Sequence, residues 1–421
     1  MTDPRLGDEY DNMLACIRCG ACLTSCPTYV LSLEEAEGPR GRVGMARAVA
    51  EGHLPVTPDL LAHELNCLVC DACSAVCPAG VHMDPLQAVF RGAVANNQRP
   101  GVAARLVRGV VFGWLFMDMR RFRAFARMLW LYQRSGARWL ARHLGVLRVL
   151  RLADAETLLP EISSSFVVPH DETYATADGS PKAMAFFAGC IMSTALAAID
   201  RATIRVLQRS GCTVSNPAGQ GCCGALHAHG GDLPRALELA KRNIEAFEST
   251  DGPVVVNSAG CGAMLKDYAH HLRRDASWSE RARKFSSRVV DLSQALAPAA
   301  LQVHRVASQK VVYQDACHLL HAQRISRQPR DLLRAIPGVE LVEIDEAGLC
   351  CGSAGVYNVT NPVESRQLQQ RKVDNALKVT PDLIVTANPG CLLQLRNGLA
   401  ARGSHVAVKH LAEVLDEATG P

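Results

Sequence analysis

The chain has 421 residues, 48% hydrophobic and 20% charged, with a formal net charge of +4. That length allows two or three domains, the composition is that of an ordinary globular protein, and so small a charge gives no footing for nucleic-acid binding. Seventeen cysteines are the outlying number. The chain opens on a polar run from Met1 to Tyr10 with no export signal, so the thiols are expected in a reducing, cytoplasmic compartment. There, repeated Cys spacings read as metal or cluster ligands rather than disulfides.

The first expected unit, residues 1–98, carries two sets of four: Cys16, Cys19, Cys22, Cys26 and Cys67, Cys70, Cys73, Cys77. Each member of the second set lies 51 residues after its counterpart, and Pro27 and Pro78 close the sets. A [4Fe–4S] cube needs one thiolate at each of four iron corners. Three Cys at i, i+3 and i+6 wrap three corners, and the fourth, before Pro, reaches the other cluster in two-cluster ferredoxins. One cluster is therefore expected on Cys16, Cys19, Cys22 and Cys77, and the other on Cys67, Cys70, Cys73 and Cys26. Proline fixes φ and lacks an N–H, so it ends each ligand loop. A pair of zinc sites is the competing reading, but zinc ribbons use two Cys-x-x-Cys pairs without this trailing fourth Cys-Pro. The stretch from Thr28 to Asn66 is helical in pattern, which predicts a mostly helical ferredoxin-type domain. His82, soon after Cys77-Pro78, is expected near a cluster.

Residues 99–180 read as an Arg-rich helical connector and a linker. Arg99 to Arg151 holds twelve Arg and one acidic residue, Asp118. Its longest apolar run, Val110 to Met117, is far shorter than the roughly 20 residues that span a bilayer. Arginines beside Trp114, Phe116, Trp130 and Trp139 suit peripheral contact with an anionic membrane face. The alternative is a connector whose aromatic face packs on its own lobes or on a partner. Thr173 to Pro181, rich in Ala, Thr, Gly and Ser, reads as linker.

The remaining cysteines are also duplicated. Cys190, Cys222, Cys223 and Cys261, in a lobe over 181–300, are echoed by Cys317, Cys350, Cys351 and Cys391, in a lobe over 301–421. Met184–Ala188, Val254–Val256, Lys310–Tyr313 and Leu383–Thr386 read as buried strands; Leu233–Phe247 and Val363–Leu377 read as helices. Such alternation predicts two α/β lobes with largely parallel sheets, and places the cysteines at strand ends, where open sheets take ligands. Cys212, outside both duplications, reads as a small buried hydrophobe. Each lobe's four thiols suit a further cluster or a zinc ion; a redox dithiol, a vicinal disulfide and plain structural cysteines are the alternatives. The second set is favoured as a site, for its flanking glycines and for His318 directly after Cys317. His318 and His321 are expected on one helical face if a helix starts there; a proton relay at His318 is the functional reading, and surface or packing histidines are the favoured alternative. His227 and His229 have no assigned role.

The motifs Cys16-Ile-Arg-Cys-Gly-Ala-Cys-Leu-Thr-Ser-Cys-Pro-Thr-Tyr29, Gly38-Pro-Arg-Gly-Arg42, Gly221-Cys-Cys-Gly-Ala225 and Leu349-Cys-Cys-Gly-Ser-Ala-Gly355 resemble the iron–sulfur subunit of glycolate oxidase. The resemblance runs from about Leu14 to the C-terminus. It implies an electron-transfer subunit that serves an FAD-binding, glycolate-oxidising partner and a quinone-type acceptor, on the cytoplasmic side of the membrane. Related possibilities are lactate or anaerobic glycerol-3-phosphate dehydrogenase subunits, or a heterodisulfide reductase-like enzyme. The chain departs from that last pattern. It has Cys261-Gly-Ala-Met264 and Cys391-Leu-Leu-Gln394 where Cys-x-x-Cys would stand, which leaves four thiols per motif rather than five. The sequence shows no hydrolytic triad and no paired-carboxylate constellation.

Overall fold

The computed structural model describes residues 4–97, 101–145, 147, 156–157, 159–176, 182–305 and 308–420. The end of the Arg-rich stretch, 148–151, and the glycine-containing part of the expected linker, 177–181, lie outside the described residues. The N-terminal unit is helical, as its sequence pattern predicts. Helices Pro27–Ser32, Pro39–Ala50 and Pro58–Leu65 each start on a proline, whose missing N–H falls where a helix has no use for it. Met83–Asn97 is the long helix of the unit.

The two lobes each contain an open sheet, all parallel in the second lobe and parallel but for one edge strand in the first. Strands β1 (Glu172–Tyr174), β2 (Lys182–Phe187), β3 (Cys212–Asn216), β4 (Val254–Val256) and β5 (Val289–Asp291) lie in the order β1-β3-β2-β4-β5. Strands β6 (Gln309–Tyr313), β7 (Val339–Val342), β8 (Leu383–Thr386) and β9 (Ala407–His410) lie in the order β7-β6-β8-β9. Deleting β1 makes the two orders the same, so the sequence duplication is a duplication of topology. β1 runs antiparallel to β3, Glu172 against Asn216 and Tyr174 against Val214. This corrects the reading of Thr173 as linker: the first sheet draws its edge from residues upstream of 181.

β2 shows why its sequence is apolar on both faces. Met184 and Phe186 enter a core shared with the second lobe, while Ala185 and Phe187 enter a core shared with the ferredoxin-type unit. In that second core Phe90 and Val94 of the long N-terminal helix lie with Ala236, Ile244 and Phe247 of helix Leu233–Phe247. Burying one phenylalanine contributes about 2–3 kcal/mol. The lobes are joined where helix Ala197–Arg209 runs along helix Leu411–Thr419, and Arg209 Nη1 meets Asp416 Oδ1 at 2.9 Å. Cys212 is buried in this interlobe core, as its apolar surroundings in the sequence predict.

The ferredoxin-type unit meets the first lobe backbone to backbone. Gly231 has φ +77°, and a Cβ there would stand 2.7 Å from the Arg91 carbonyl carbon. Gly231→Ala is therefore expected to cost at least 2 kcal/mol, combining a left-handed residue with a backbone clash. Gly7→Ala, which meets nothing within 4 Å, should cost far less. Thermal or denaturant unfolding of the two variants checks this.

Candidate metal centres

Both N-terminal cysteine loops reverse direction in the same way. Arg18 (φ 57°) and Gly20 (φ 83°) flank Cys19, and Val69 (φ 50°) and Asp71 (φ 59°) flank Cys70. A β-branched residue at positive φ is strained, and such strain persists where the surroundings impose it. The reversals fold each loop around a hollow. Cys16, Cys19, Cys22 and Cys77 line one hollow. Cys26, Cys67, Cys70 and Cys73 line the other. The structure thus brings together the two crossed sets read from the spacing, and each hollow offers the four thiols that a cubane requires.

The hollows differ in exposure. The first lies at the surface: Cys19 is exposed, and Ile17 beside it is 68% exposed. In the second, Cys26 and Cys70 are buried. Arg42 is buried beside it. Its Nη1 lies 4.0 Å from Cys26 Sγ, its Nη2 pairs with Glu37 at 2.7 Å, and its Nε donates to the His63 carbonyl at 2.9 Å. A fixed cation here favours negative charge in the second hollow. Arg91 reaches the Cys67 and Glu64 carbonyls (2.6 and 2.9 Å) and, across the unit boundary, the His229 carbonyl (2.8 Å). Backbone N–H groups of Val69 and Val81 point at Cys67 and Cys77 sulfur, each at 3.4 Å.

In the lobes, the remaining cysteines stand at the carboxyl ends of strands. Cys190 follows β2, Cys222 and Cys223 follow β3, and Cys261 lies in the first turn of the helix after β4. Cys317, Cys350, Cys351 and Cys391 take the same places after β6, β7 and β8. β2 and β6 each have their next two strands on opposite sides, so the cysteines gather at the switch point of each sheet. All are free thiols. Their sulfurs are close enough to share protons. Cys222 is held well below the usual thiol range by hydrogen bonds from Cys190 and Cys223, and Cys261 is lowered by Cys223. In the second lobe Cys350 lowers Cys317 across 3.9 Å, and Cys351 is lowered by Cys350 and Cys391. Four linked sulfurs in each lobe form a donor set suited to a soft metal.

The two sets have different lids. Leu115 and Phe122 of the Arg-rich segment pack on Cys190 and Cys222, with Phe116 against them. Leu68 and Cys70 of the ferredoxin-type unit pack on Cys317 and Cys350. Burial and then the Cys317 charge push the Cys70 thiol up, and Cys22 is among the charges acting on Cys73. The sets therefore stand in a row from the exposed hollow, through the buried one, to the second lobe. Asn388 joins the lobes, accepting from the Gly260 N–H at 3.1 Å and donating to Cys391 sulfur at 3.6 Å.

The histidines divide. His318 is buried, with Nδ1 3.7 Å from Cys317 Sγ. Burial opposes its charge, but the Cys317 thiolate and then Asp84 and Asp71 raise its pKa to about 9. His321 instead donates to the Gly348 carbonyl at 2.9 Å, from a wide turn in which the Gln323 N–H reaches back to the His318 carbonyl. His227 is buried, Nε2 on the Phe112 carbonyl at 2.8 Å, and it contributes to lowering Cys222. His82 is exposed and held through its backbone N–H by Asn12. The aromatic residues of the Arg-rich segment also divide. Phe116 and Trp130 are partly buried against the lobe cores, as the packing alternative for this segment has it, whereas Trp114 and Trp139 are exposed.

Crossed four-cysteine hollows backed by two four-thiol lobes define an iron–sulfur electron-transfer protein. Residues 15–81 match the 4Fe-4S dicluster domain, 184–266 and 311–396 the cysteine-rich domain, and 103–159 the linker region of the glycolate oxidase iron-sulfur subunit. The chain is 40% identical to the probable glycolate oxidase iron-sulfur subunit of Bacillus subtilis, over 98% of this chain and 95% of that protein. It is 30% identical to the glycolate oxidase iron-sulfur subunit of Escherichia coli, over 97% and 95%. Lactate utilization protein A of Geobacillus thermodenitrificans is 31% identical but matches only 55% of this chain, over 98% of its own length. The chain belongs to the family of glycolate oxidase iron–sulfur subunits.

The buried ion network under the second hollow gives a pH dependence. Glu64 is fully buried, accepts from Gln87 at 2.6 Å, and burial pushes its pKa up from 4.5 to about 7. A carboxyl raised on folding favours the neutral form, so its contribution is present below the unfolded value and is lost as pH rises toward 7. Between pH 5.5 and 8 the parent should lose about 2 kcal/mol relative to Glu64→Gln. Urea unfolding at the two pH values checks it: the gap between the two proteins should change in favour of the variant at the higher pH.

Proposed function

We propose that this chain carries electrons from an FAD-containing subunit that oxidises glycolate to glyoxylate toward a quinone-type acceptor. The observation that carries the reading is the row of cysteine sets, one end exposed and the other buried in the second lobe. In this reading Cys16, Cys19, Cys22 and Cys77 hold one [4Fe–4S] cluster, and Cys67, Cys70, Cys73 and Cys26 hold the other. Cys317, Cys350, Cys351 and Cys391 continue the row with a further cluster or zinc, and Cys190, Cys222, Cys223 and Cys261 offer a second such set. Bound clusters supply one-electron exchange, whereas oxidation of a 2-hydroxy acid releases a hydride; a flavin partner bridges the two.

The chain's own residues set the terms of that exchange. Arg42 keeps a positive charge against the second hollow. The rim of the first hollow is exposed and apolar, with Leu14, Ile17 and Val76 open to solvent, which suits docking of the flavin subunit there.

The Arg-rich segment suits the acceptor's side. Among the described residues no helix is long and apolar enough to cross a membrane. Yet Leu106 is 66% and Trp139 61% exposed, with Val102, Met128 and Leu144 also exposed on the segment's helices and turns. Apolar side chains interleaved with arginine fit the interface of an anionic leaflet, where each Arg contributes about 1 kcal/mol. This favours a peripheral seat on the cytoplasmic face.

The test is reconstitution with the flavin subunit on anionic vesicles containing a quinone. Glycolate-dependent quinone reduction should require both chains. Vesicle binding should weaken as salt rises and with Trp139→Ala and Leu106→Ala combined. Glycolate turnover by the isolated chain would contradict the subunit reading, and salt-independent binding would contradict the electrostatic seat.

A further inference from the structure

We propose that Asp84, His229 and His318 hold a divalent transition-metal ion of the zinc class, at the point where the ferredoxin-type unit and both lobes meet. No cysteine is among the three ligands, although the site borders the second lobe's thiol set through Cys317 and His318. One ligand comes from each unit. Asp84 stands in the first turn of helix Met83–Asn97, His229 ends helix Ala225–His229 of the first lobe, and His318 follows Cys317 in the second.

The geometry is that of a nearly closed site. One donor atom from each residue lies within 4.8 Å of the other two. His229 Nε2 and Asp84 Oδ2 are 3.4 Å apart. With metal–ligand bonds of about 2.0–2.1 Å, adjacent ligands of a tetrahedral zinc ion are separated by about 3.4 Å. The His229 and His318 rings lie nearly parallel, their planes 13° apart and their centroids at 5.6 Å. The set of two imidazoles and one carboxylate is a borderline donor set, suited to Zn²⁺, Co²⁺ or Fe²⁺ and poorly suited to Ca²⁺ or Mg²⁺.

A second observation points to a missing ligand. Asp84 Oδ1 and His318 Nε2 are buried and have no hydrogen-bond partner. Asp84 is 4% and His318 8% exposed. Leaving buried polar atoms unpaired is costly, and an ion bound among them would remove that cost. His229 is partly exposed, which gives an ion a route in. The two histidines are held from behind: Arg91 Nη1 donates to the His229 carbonyl at 2.8 Å, and the Cys317 sulfur stands 3.7 Å from His318 Nδ1. Three protein ligands leave a fourth position for water or an incoming group. A metal here would fasten the ferredoxin-type unit to both lobes.

The test is metal analysis of the full-length chain purified with its clusters from zinc-supplemented cells. The parent should hold one zinc more per chain than His229→Gln or Asp84→Asn, with iron and acid-labile sulfide unchanged. Should Asp84→Asn lose iron and so fail to fold, His229→Gln, altered at the partly exposed ligand, decides alone. Cobalt substitution gives the second readout. Co²⁺ at this site should show d–d absorption that His229→Gln abolishes, without new thiolate-to-cobalt charge transfer. Equal zinc in parent and variants overturns the proposal, as does cobalt d–d absorption that His229→Gln leaves unchanged.

Discussion

Four sulfurs must converge on one point to hold a cubane or a tetrahedral thiolate metal, and no short stretch of this chain supplies four. In the ferredoxin-type unit a loop gives three, and the fourth comes from the other loop, 51 residues away in the repeat. In each lobe the four come from three separate strand ends. Closing such loops costs entropy that grows slowly with their length, and burial of apolar surface offsets it. The convergence of sulfur is therefore a constraint on the whole fold, because each set is assembled only when distant segments have docked.

The consequence is a single assembly rather than beads on a string. Phe90 of the N-terminal helix shares a core with Phe187 and Phe247 of the first lobe, and Phe186 one residue away shares a core with Leu392 and Leu395 of the second. The duplicated lobes are then used unequally. The first set of lobe cysteines is covered by Leu115 and Phe122 of the Arg-rich segment, and the second abuts Cys70 of the buried hollow. Equal topology with unequal lids gives the row a direction, from the exposed rim at Cys19 inward.

The sequence makes the cysteine sets legible because spacing alone carries them. It also makes β4, β8 and helix Leu233–Phe247 legible, since Val254–Val256 and Leu383–Thr386 are apolar on both faces and the helix keeps an even apolar stripe. β3 and β9 are short and mixed, Cys212-Thr-Val-Ser-Asn216 and Ala407-Val-Lys-His410, so nothing local separates them from loop. β1 exists only through its pairing with β3. The meeting of Asp84, His229 and His318 has no signature at all, because three residues from three units share no spacing. Of the four aromatics Trp114, Phe116, Trp130 and Trp139, the sequence could not say which would turn inward, since that depends on where Cys190 and Cys222 fall for Phe116 and on the interlobe core for Trp130.

The crossed assignment of the N-terminal thiols is the claim on which the row depends. Electron paramagnetic resonance during a redox titration of Cys19→Ser, Cys26→Ser and Cys70→Ser tests it most directly. Cys26→Ser should alter the spectrum and potential of the same cluster that Cys70→Ser alters, and leave untouched the one that Cys19→Ser alters. If Cys26→Ser and Cys19→Ser strike the same cluster, the ligation is uncrossed and the account is wrong.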